Sequence, residues 1–258
     1  MTAMTTRCLT ARAANPQLIA DQLDDRGFVC LERAVASEWL IGARSEIKQL
    51  LRDHGQSYHF FRNPRGEEHR AIEMFVDDPE TLGLLAEVMR ARLPEGLPEL
   101  ANASLRVIAG PNGDDDSFTF HYDAGAVTMV VPLFLPEADR GRRGELIGFF
   151  NKRPFRRSVS VNLFDKLVDQ SGMYRRHILR RSDHAKTTMI DMELGNAYLF
   201  WGYRTLHANL PCEPGALRAT LLIHFGAPHG PSRVLSAAAK VQRGMRSAVR
   251  THPKSSKS

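Results

Sequence analysis

The chain has little cysteine, no long apolar run and, over its last stretch, no acid at all. Cys8, Cys30 and Cys212 are odd in number and unclustered, which argues against a disulfide framework or a cysteine zinc site and suggests reduced thiols in a cytoplasmic protein. No segment reaches the roughly 20 apolar residues that a membrane-spanning helix needs, and Met1 to Gln17 lacks the apolar block of a secretory signal. Residues 1–15 read as a flexible polar leader. From Ser232 to Ser258 there are seven Lys or Arg residues and no Asp or Glu. Setting these seven aside leaves 28 basic residues against 29 acids, so the body is close to neutral although the whole chain carries +6. A neutral body does not predict the basic groove of a nucleic-acid enzyme. The excess belongs to residues 232–258, which read as a short basic helix, Ser236 to Arg246, followed by a disordered tail.

What remains, residues 16–231, is long enough for one domain, and 43% hydrophobic residues can build its core. Helices are expected at Pro16 to Asp25, at Ser37 to Arg52 with Ser37 as cap and Gly55 as stop, and at Thr81 to Leu93. In the second, Leu40, Ile41, Ile47, Leu50 and Leu51 mark one apolar side. Strands are expected at Phe28 to Leu31, Ser104 to Ile108, Ser117 to Asp123, Val127 to Leu135, Leu146 to Phe150, Tyr174 to Leu179, Thr187 to Met192, Ala197 to Trp201 and Leu217 to Phe225, with a further helix at Val159 to Asp169. This pattern gives a mainly β protein with α additions, a jelly-roll barrel carrying its N-terminal helices on one outer face.

The chemistry lies in His121-Tyr122-Asp123, in His207 and in Arg218-Ala219-Thr220. Residues i and i+2 of a strand share a face, so His121 and Asp123 can reach one metal ion while Tyr122 points away. A helix would set them about 200° apart and spoil the chelate. With His207 they make two imidazoles and one carboxylate, the set that leaves one side of a divalent iron open. Arg218 and Thr220 share one face of a later strand. An inward guanidinium needs an anion, and a carboxylate accepts its two parallel hydrogen bonds. The remaining histidines, 54, 59, 69, 177, 184, 224, 229 and 252, read as structural or surface residues; His224 falls on the same strand face as Arg218 and Thr220.

The order His-x-Asp, His, Arg-x-Thr resembles the Fe(II)/2-oxoglutarate-dependent oxygenases. The opening, Asp25-Arg26-Gly27-Phe28-Val29-Cys30-Leu31 followed by Ala34-Val35-Ala36-Ser37 and an amphipathic helix, is similar to the phytanoyl-CoA dioxygenase-like members. The resemblance spans roughly Pro16 to Pro228. It implies a double-stranded β-helix (cupin-like) core, Fe(II) on His121, Asp123 and His207, 2-oxoglutarate as co-substrate held by Arg218 with Thr220 as second anchor, and dioxygen as oxidant. It also implies hydroxylation, with succinate and CO2 as co-products, since related halogenases carry a small residue where Asp123 stands.

Basic clusters at Lys152 to Arg157 and around Arg175 to Arg181 lie where such enzymes place a substrate wall, which suggests a small anionic substrate: an amino-acid derivative, an acyl thioester or a phosphorylated compound. Asn151, Arg153, Tyr203 and Arg204 are the candidate pocket residues, because they flank the proposed site strands in polar turns. No membrane partner is expected. A non-catalytic metal- or ligand-binding barrel is the alternative from another class, and a nucleic-acid demethylase the alternative among enzymes.

Overall fold

The computed structural model describes residues 15–93, 99, 101–111, 117–154 and 187–227. The expected elements at Val159 to Asp169, Tyr174 to Leu179 and Ser236 to Arg246 lie outside these residues, as do most of the leader and all of the tail.

Helix α1, Pro16–Arg26, starts with Asn15, whose side chain accepts from the N–H groups of Gln17 and Leu18, and with Pro at its first position. Gly27 ends it at φ 85°, and a Cβ there would lie 2.1 Å from Cβ of Phe150, so the left-handed turn and close packing both require glycine. Strand β1, Phe28–Leu31, follows, then α2, Ser37–His54. The cap of α2 is Ala36, with no side-chain hydrogen bond; Ser37 is already helical, and Gly55 closes the helix as expected. Its buried stripe is Trp39, Ala43, Ile47, Leu50 and Leu51, while Ile41 points to solvent. The Trp39 indole fixes this rotation by donating to the Ala71 carbonyl at 2.6 Å.

Strand β2, His59–Arg62, and helix α3, Arg70–Val76, have no counterpart in the sequence reading. Helix α4, Pro79–Arg90, starts two residues before the expected Thr81, because Asp78 caps it through the Thr81 N–H and Pro79 takes the position where a missing N–H costs nothing. Then come β3, Ala101–Ile108; β4, Val127–Phe134; β5, Leu146–Phe149; β6, Thr188–Ile190; β7, Ala197–Phe200; β8, Leu206–Asn209; and β9, Arg218–Phe225.

The strands pair antiparallel in a sheet of order β1-β7-β4-β9-β3-β2 and a smaller one of order β6-β5-β8. Register sorts the large sheet into two faces. The row Val29, Leu199, Met129, Ile223, Ala103 belongs to the core beneath the helices, with Leu23, Trp39, Ile47, Phe75 and Leu85. Burying each large apolar side chain there contributes about 1.5–3 kcal/mol. The adjacent row, Tyr198, Val130 and Leu222, faces the small sheet and packs with Leu146, Ile190 and Phe200. This is the expected double-stranded β-helix with helices on one face. No helix among the described residues is long and apolar enough to cross a membrane.

Candidate metal centre

The segment Ser117 to Asp123 is not the regular strand its alternation suggests. Phe118 takes φ 52° and its carbonyl accepts from the Phe120 N–H at 3.1 Å, a tight turn that leaves only His121 in a ladder. That single bridge is the one the site needs. His121 and His207 of β8 exchange both backbone hydrogen bonds, at 2.9 and 3.0 Å, which puts their side chains on one side with ring centroids 4.4 Å apart. Asp123 is brought in by its own N–H, which donates to the Gly202 carbonyl at 3.1 Å.

Both imidazoles are oriented from behind. Nδ1 of His121 lies 2.9 Å from the Thr119 carbonyl and Nδ1 of His207 lies 3.1 Å from that of Thr205. A carbonyl only accepts, so each Nδ1 carries a proton and the neutral form of each ring has its lone pair on Nε2. Nε2 of His121 is 3.7 Å from Oδ1 of Asp123, and Nε2 of His207 is 3.6 Å from Oδ2, gaps spanned by an ion about 2 Å from each ligand. The three ligand atoms all lie within 4.8 Å of one another.

Electrostatics suits the same ion. Burial by itself would raise the Asp123 carboxyl, but His224 and His207 outweigh it and hold the group well below the usual carboxylate range. It is therefore an anion. Burial lowers His207 to about 4 despite the neighbouring Asp123, so its imidazole is neutral and able to ligate at neutral pH. Thr128 donates to Oδ2 of Asp123 at 2.6 Å, and Nδ1 of His224 lies 3.4 Å from the same oxygen. Burial would lower His224, but Asp123 raises it. Gly202 is what lets the turn approach, since a Cβ there would lie 2.2 Å from Oγ1 of Thr128 and 3.0 Å from Cβ of Asp123.

The two triad histidines open on a cavity of about 160 Å³ between the sheets, lined also by Arg106, Arg218, Thr220 and His224. Arg218 is only 2% exposed, and its Nε and Nη1 have no hydrogen-bond partner among the described residues. Burial lowers it to about 10, which still leaves it charged at neutral pH. Among the described residues no carboxylate hydrogen-bonds to it. Burial pushes the adjacent Cys212 thiol up, so it stays neutral, and Glu145, which accepts from the N–H groups of Gly141 and Arg143, attracts the Arg218 charge without bonding to it. Gly144, at φ 71°, leaves the guanidinium its space: a Cβ there would lie 2.5 Å from Cδ of Arg218. A buried cation with unmet donors, in a cavity shared with two imidazoles that share a metal-sized gap with Asp123, fits a metal together with a carboxylate-bearing chelator.

The four candidate pocket residues lie elsewhere and line neither this cavity nor the one beside it. Asn151 donates to the carbonyls of Leu23 and Asp24 at the end of α1. The guanidinium of Arg153 lies 3.8 Å from the ring centre of Tyr122 and 4.0 Å from that of Tyr203, and its Nε donates to the Tyr203 carbonyl. Arg204 donates to Asp24 at 2.6 Å, and Trp201 donates to the same carboxylate at 3.0 Å. The sandwich thus clamps the His121-Tyr122-Asp123 segment onto the Gly202 turn. Arg153→Lys removes the planar cation and should cost about 1–3 kcal/mol of stability, with weaker metal binding, read by denaturant titration and metal affinity. An unchanged midpoint would mean that the stack holds nothing. The sequence reading missed Thr128 and Arg106; each alternates with apolar neighbours on a strand, a pattern that does not say which face encloses the site.

No family model and no curated protein matches the sequence. Solved structures do resemble the fold. The non-haem α-ketoglutarate-dependent carbocyclase SnoK from nogalamycin biosynthesis is similar at a TM-score of 0.55 and 14% identity over 90% of this chain and 93% of that one. A prolyl-4-hydroxylase from Pseudomonas putida gives 0.53 and 13% over 82% and 98%, and the epimerase SnoN from nogalamycin biosynthesis 0.51 and 12% over 81% and 82%. At these identities the likeness establishes the architecture: the chain has the double-stranded β-helix fold of the 2-oxoglutarate-Fe(II) oxygenases.

Proposed function

We propose that the protein is an Fe(II)/2-oxoglutarate-dependent dioxygenase, phytanoyl-CoA dioxygenase-like, that hydroxylates an aliphatic carbon of a small anionic metabolite. The observation that carries this reading is one cavity lined by His121 and His207, which form a triad with Asp123, and by a buried Arg218 with two nitrogens unpartnered among the described residues. His121, Asp123 and His207 would hold the iron from one side and leave the other open. Arg218 would take the distal carboxylate of 2-oxoglutarate, with the Thr220 hydroxyl beside it on β9. Thr128 and His224 keep Asp123 ionised and aimed. When bound, iron, 2-oxoglutarate and dioxygen supply the oxidation of a C–H bond, releasing succinate and CO2. Residues of this chain provide placement and exclusion of water, and the position of the substrate carbon decides the product.

We place the catalytic unit in residues 16–231, with the leader 1–15 and the basic segment 232–258 outside it. A cytoplasmic setting fits the free thiols of Cys30 and Cys212. The expected partner is the small-molecule substrate, with neither membrane nor nucleic acid. Anaerobic titration of the metal-free protein with Fe(II) and 2-oxoglutarate tests the reading. A visible metal-to-ligand charge-transfer band is the expected result, and a folded protein that binds iron without developing the band overturns it.

A further inference from the structure

The cavity of Arg218 contains a second guanidinium that the reading above leaves unused. Arg106 on β3 stands opposite Thr220 of β9 and, on its other side, opposite Phe60 of β2. Cross-strand partners share a face, so Arg106 projects from the same side of the large sheet as Arg218, Thr220 and His224, one strand nearer the edge. It belongs to two adjoining cavities. The inner one holds Arg218 and the triad histidines, and the outer one, of about 250 Å³, is bounded by Tyr58, Phe60, Arg106, Thr119, His121 and Asn209.

The two cations are not equivalent. Arg218 is buried at the inner cavity alone, whereas Arg106 is half-buried at the junction, beside His121, whose side chain is 52% exposed. A dicarboxylate held by Arg218 occupies the inner cavity, and the outer one adjoins it at His121, where a second reactant can be received. There it meets Tyr58 and Phe60, 39% and 45% exposed, two of the few large exposed apolar side chains among the described residues, gathered at a cavity mouth. Asn209 sets the guanidinium beside them: its Nδ2 donates to the Gly144 carbonyl at 3.2 Å, which turns its Oδ1 to accept from Nη1 of Arg106 at 3.3 Å. The Arg106 guanidinium also lies 5.7 Å from the Tyr58 ring centre.

We propose that Arg106, positioned by Asn209, selects the primary substrate by binding its carboxylate while the carbon skeleton lies on Tyr58 and Phe60. The idea of a second reactant rests on the oxygenase reading; the anion preference of the outer cavity can be measured without it. The probes are phenylacetate and its neutral counterpart phenylacetamide, titrated calorimetrically into protein loaded anaerobically with Fe(II) and 2-oxoglutarate. Wild type is expected to bind the acid at least about tenfold tighter than the amide, the worth of a charge-assisted hydrogen bond. Arg106→Gln should bring the two within about twofold of each other, and Arg106→Lys should keep part of the preference because the charge remains without the fork. The charge-transfer band of bound 2-oxoglutarate should be unchanged in both variants.

Equal affinities in wild type overturn the proposal, and so does a preference that survives Arg106→Gln. Loss of the 2-oxoglutarate band in Arg106→Gln overturns it too, by assigning Arg106 to the co-substrate. Should wild type never form the band, the same pair of probes is measured on metal-free Arg218→Met protein, with and without Arg106→Gln. A preference that depends on Arg106 there leaves the anion site standing while the oxygenase reading falls.

Discussion

Arg218→Met is expected to abolish 2-oxoglutarate binding and, in the same protein, to raise the thermal stability of the ligand-free state. Both effects have one origin. The guanidinium is 2% exposed, two of its nitrogens lack partners among the described residues, and burial already depresses its affinity for protons. Removing one partner of a satisfied buried ion pair costs several kcal/mol, but removing a buried charge that has no partner relieves a cost. Apolar replacement of buried ionic groups has been worth about 1–4 kcal/mol of stability. Methionine is long and unbranched enough to follow the arginine stem past Gly144. The ligand side goes the other way. Losing two hydrogen bonds between charged groups, at about 1.5–3 kcal/mol each, weakens 2-oxoglutarate binding by at least about 100-fold. Calorimetric unfolding and the anaerobic titration together read both. A variant that unfolds earlier than wild type yet binds 2-oxoglutarate normally would make Arg218 a structural residue.

Removal of His207 has the next largest expected effect. The imidazole is 3% exposed, held by the Thr205 carbonyl and packed edge-on against Phe200 at 4.9 Å between centroids. His207→Ala leaves two ligands for the ion. Changes to groups that merely orient a ligand cost 10–100-fold in metal affinity, so deleting a ligand should exceed about 100-fold. Wild type with metal at 100 times its dissociation constant gains about 2.7 kcal/mol of stability, and that increment should vanish in the variant. His224→Ala is the useful contrast, because His224 touches Asp123 without belonging to the triad. It should keep the increment with an affinity lowered by about 10–100-fold. Equal metal-induced stabilisation of wild type and His207→Ala would remove the triad as a metal site.

The sequence carried the architecture further than the surroundings of the site. Helix-stop and capping residues mark α1 and α2, and apolar strand-like runs mark β3, β4, β7 and β9; β4 and β7 read as nearly unbroken apolar runs because both their faces are buried. Strand β2 was silent: His59-Phe60-Phe61-Arg62 is an edge strand, half in and half out, whose apolar pair follows no clean period. Ser117 to Asp123 alternates like a strand, yet Phe118 turns the backbone, and the His121 side chain is placed by pairing with a segment 86 positions downstream. Arg153 and Arg204 read as pocket cations because they sit in polar turns near the site, whereas the structure turns them onto Tyr122, Tyr203 and Asp24. Arg106 drew no notice, since Ser104-Leu105-Arg106-Val107 is also how a solvent-facing strand reads. Which face is enclosed follows from pairing across the whole sheet, and no local pattern contains that.

Asp24 gives helix α1 a place in the metal centre. Its carboxylate takes Trp201 and Arg204 on either side of the Gly202 turn, whose carbonyl receives the Asp123 N–H, and it also takes Arg92, next to α4; these positions are 177, 180 and 68 residues away along the chain. Contacts of such span close long loops, and each carries a chain-closure cost that grows only slowly with loop length. The ligand turn and the first helix are therefore tied together through one carboxylate. A barrel trimmed of its opening helix would keep every ligand residue and lose the carboxylate that braces the turn to which Asp123 is bonded.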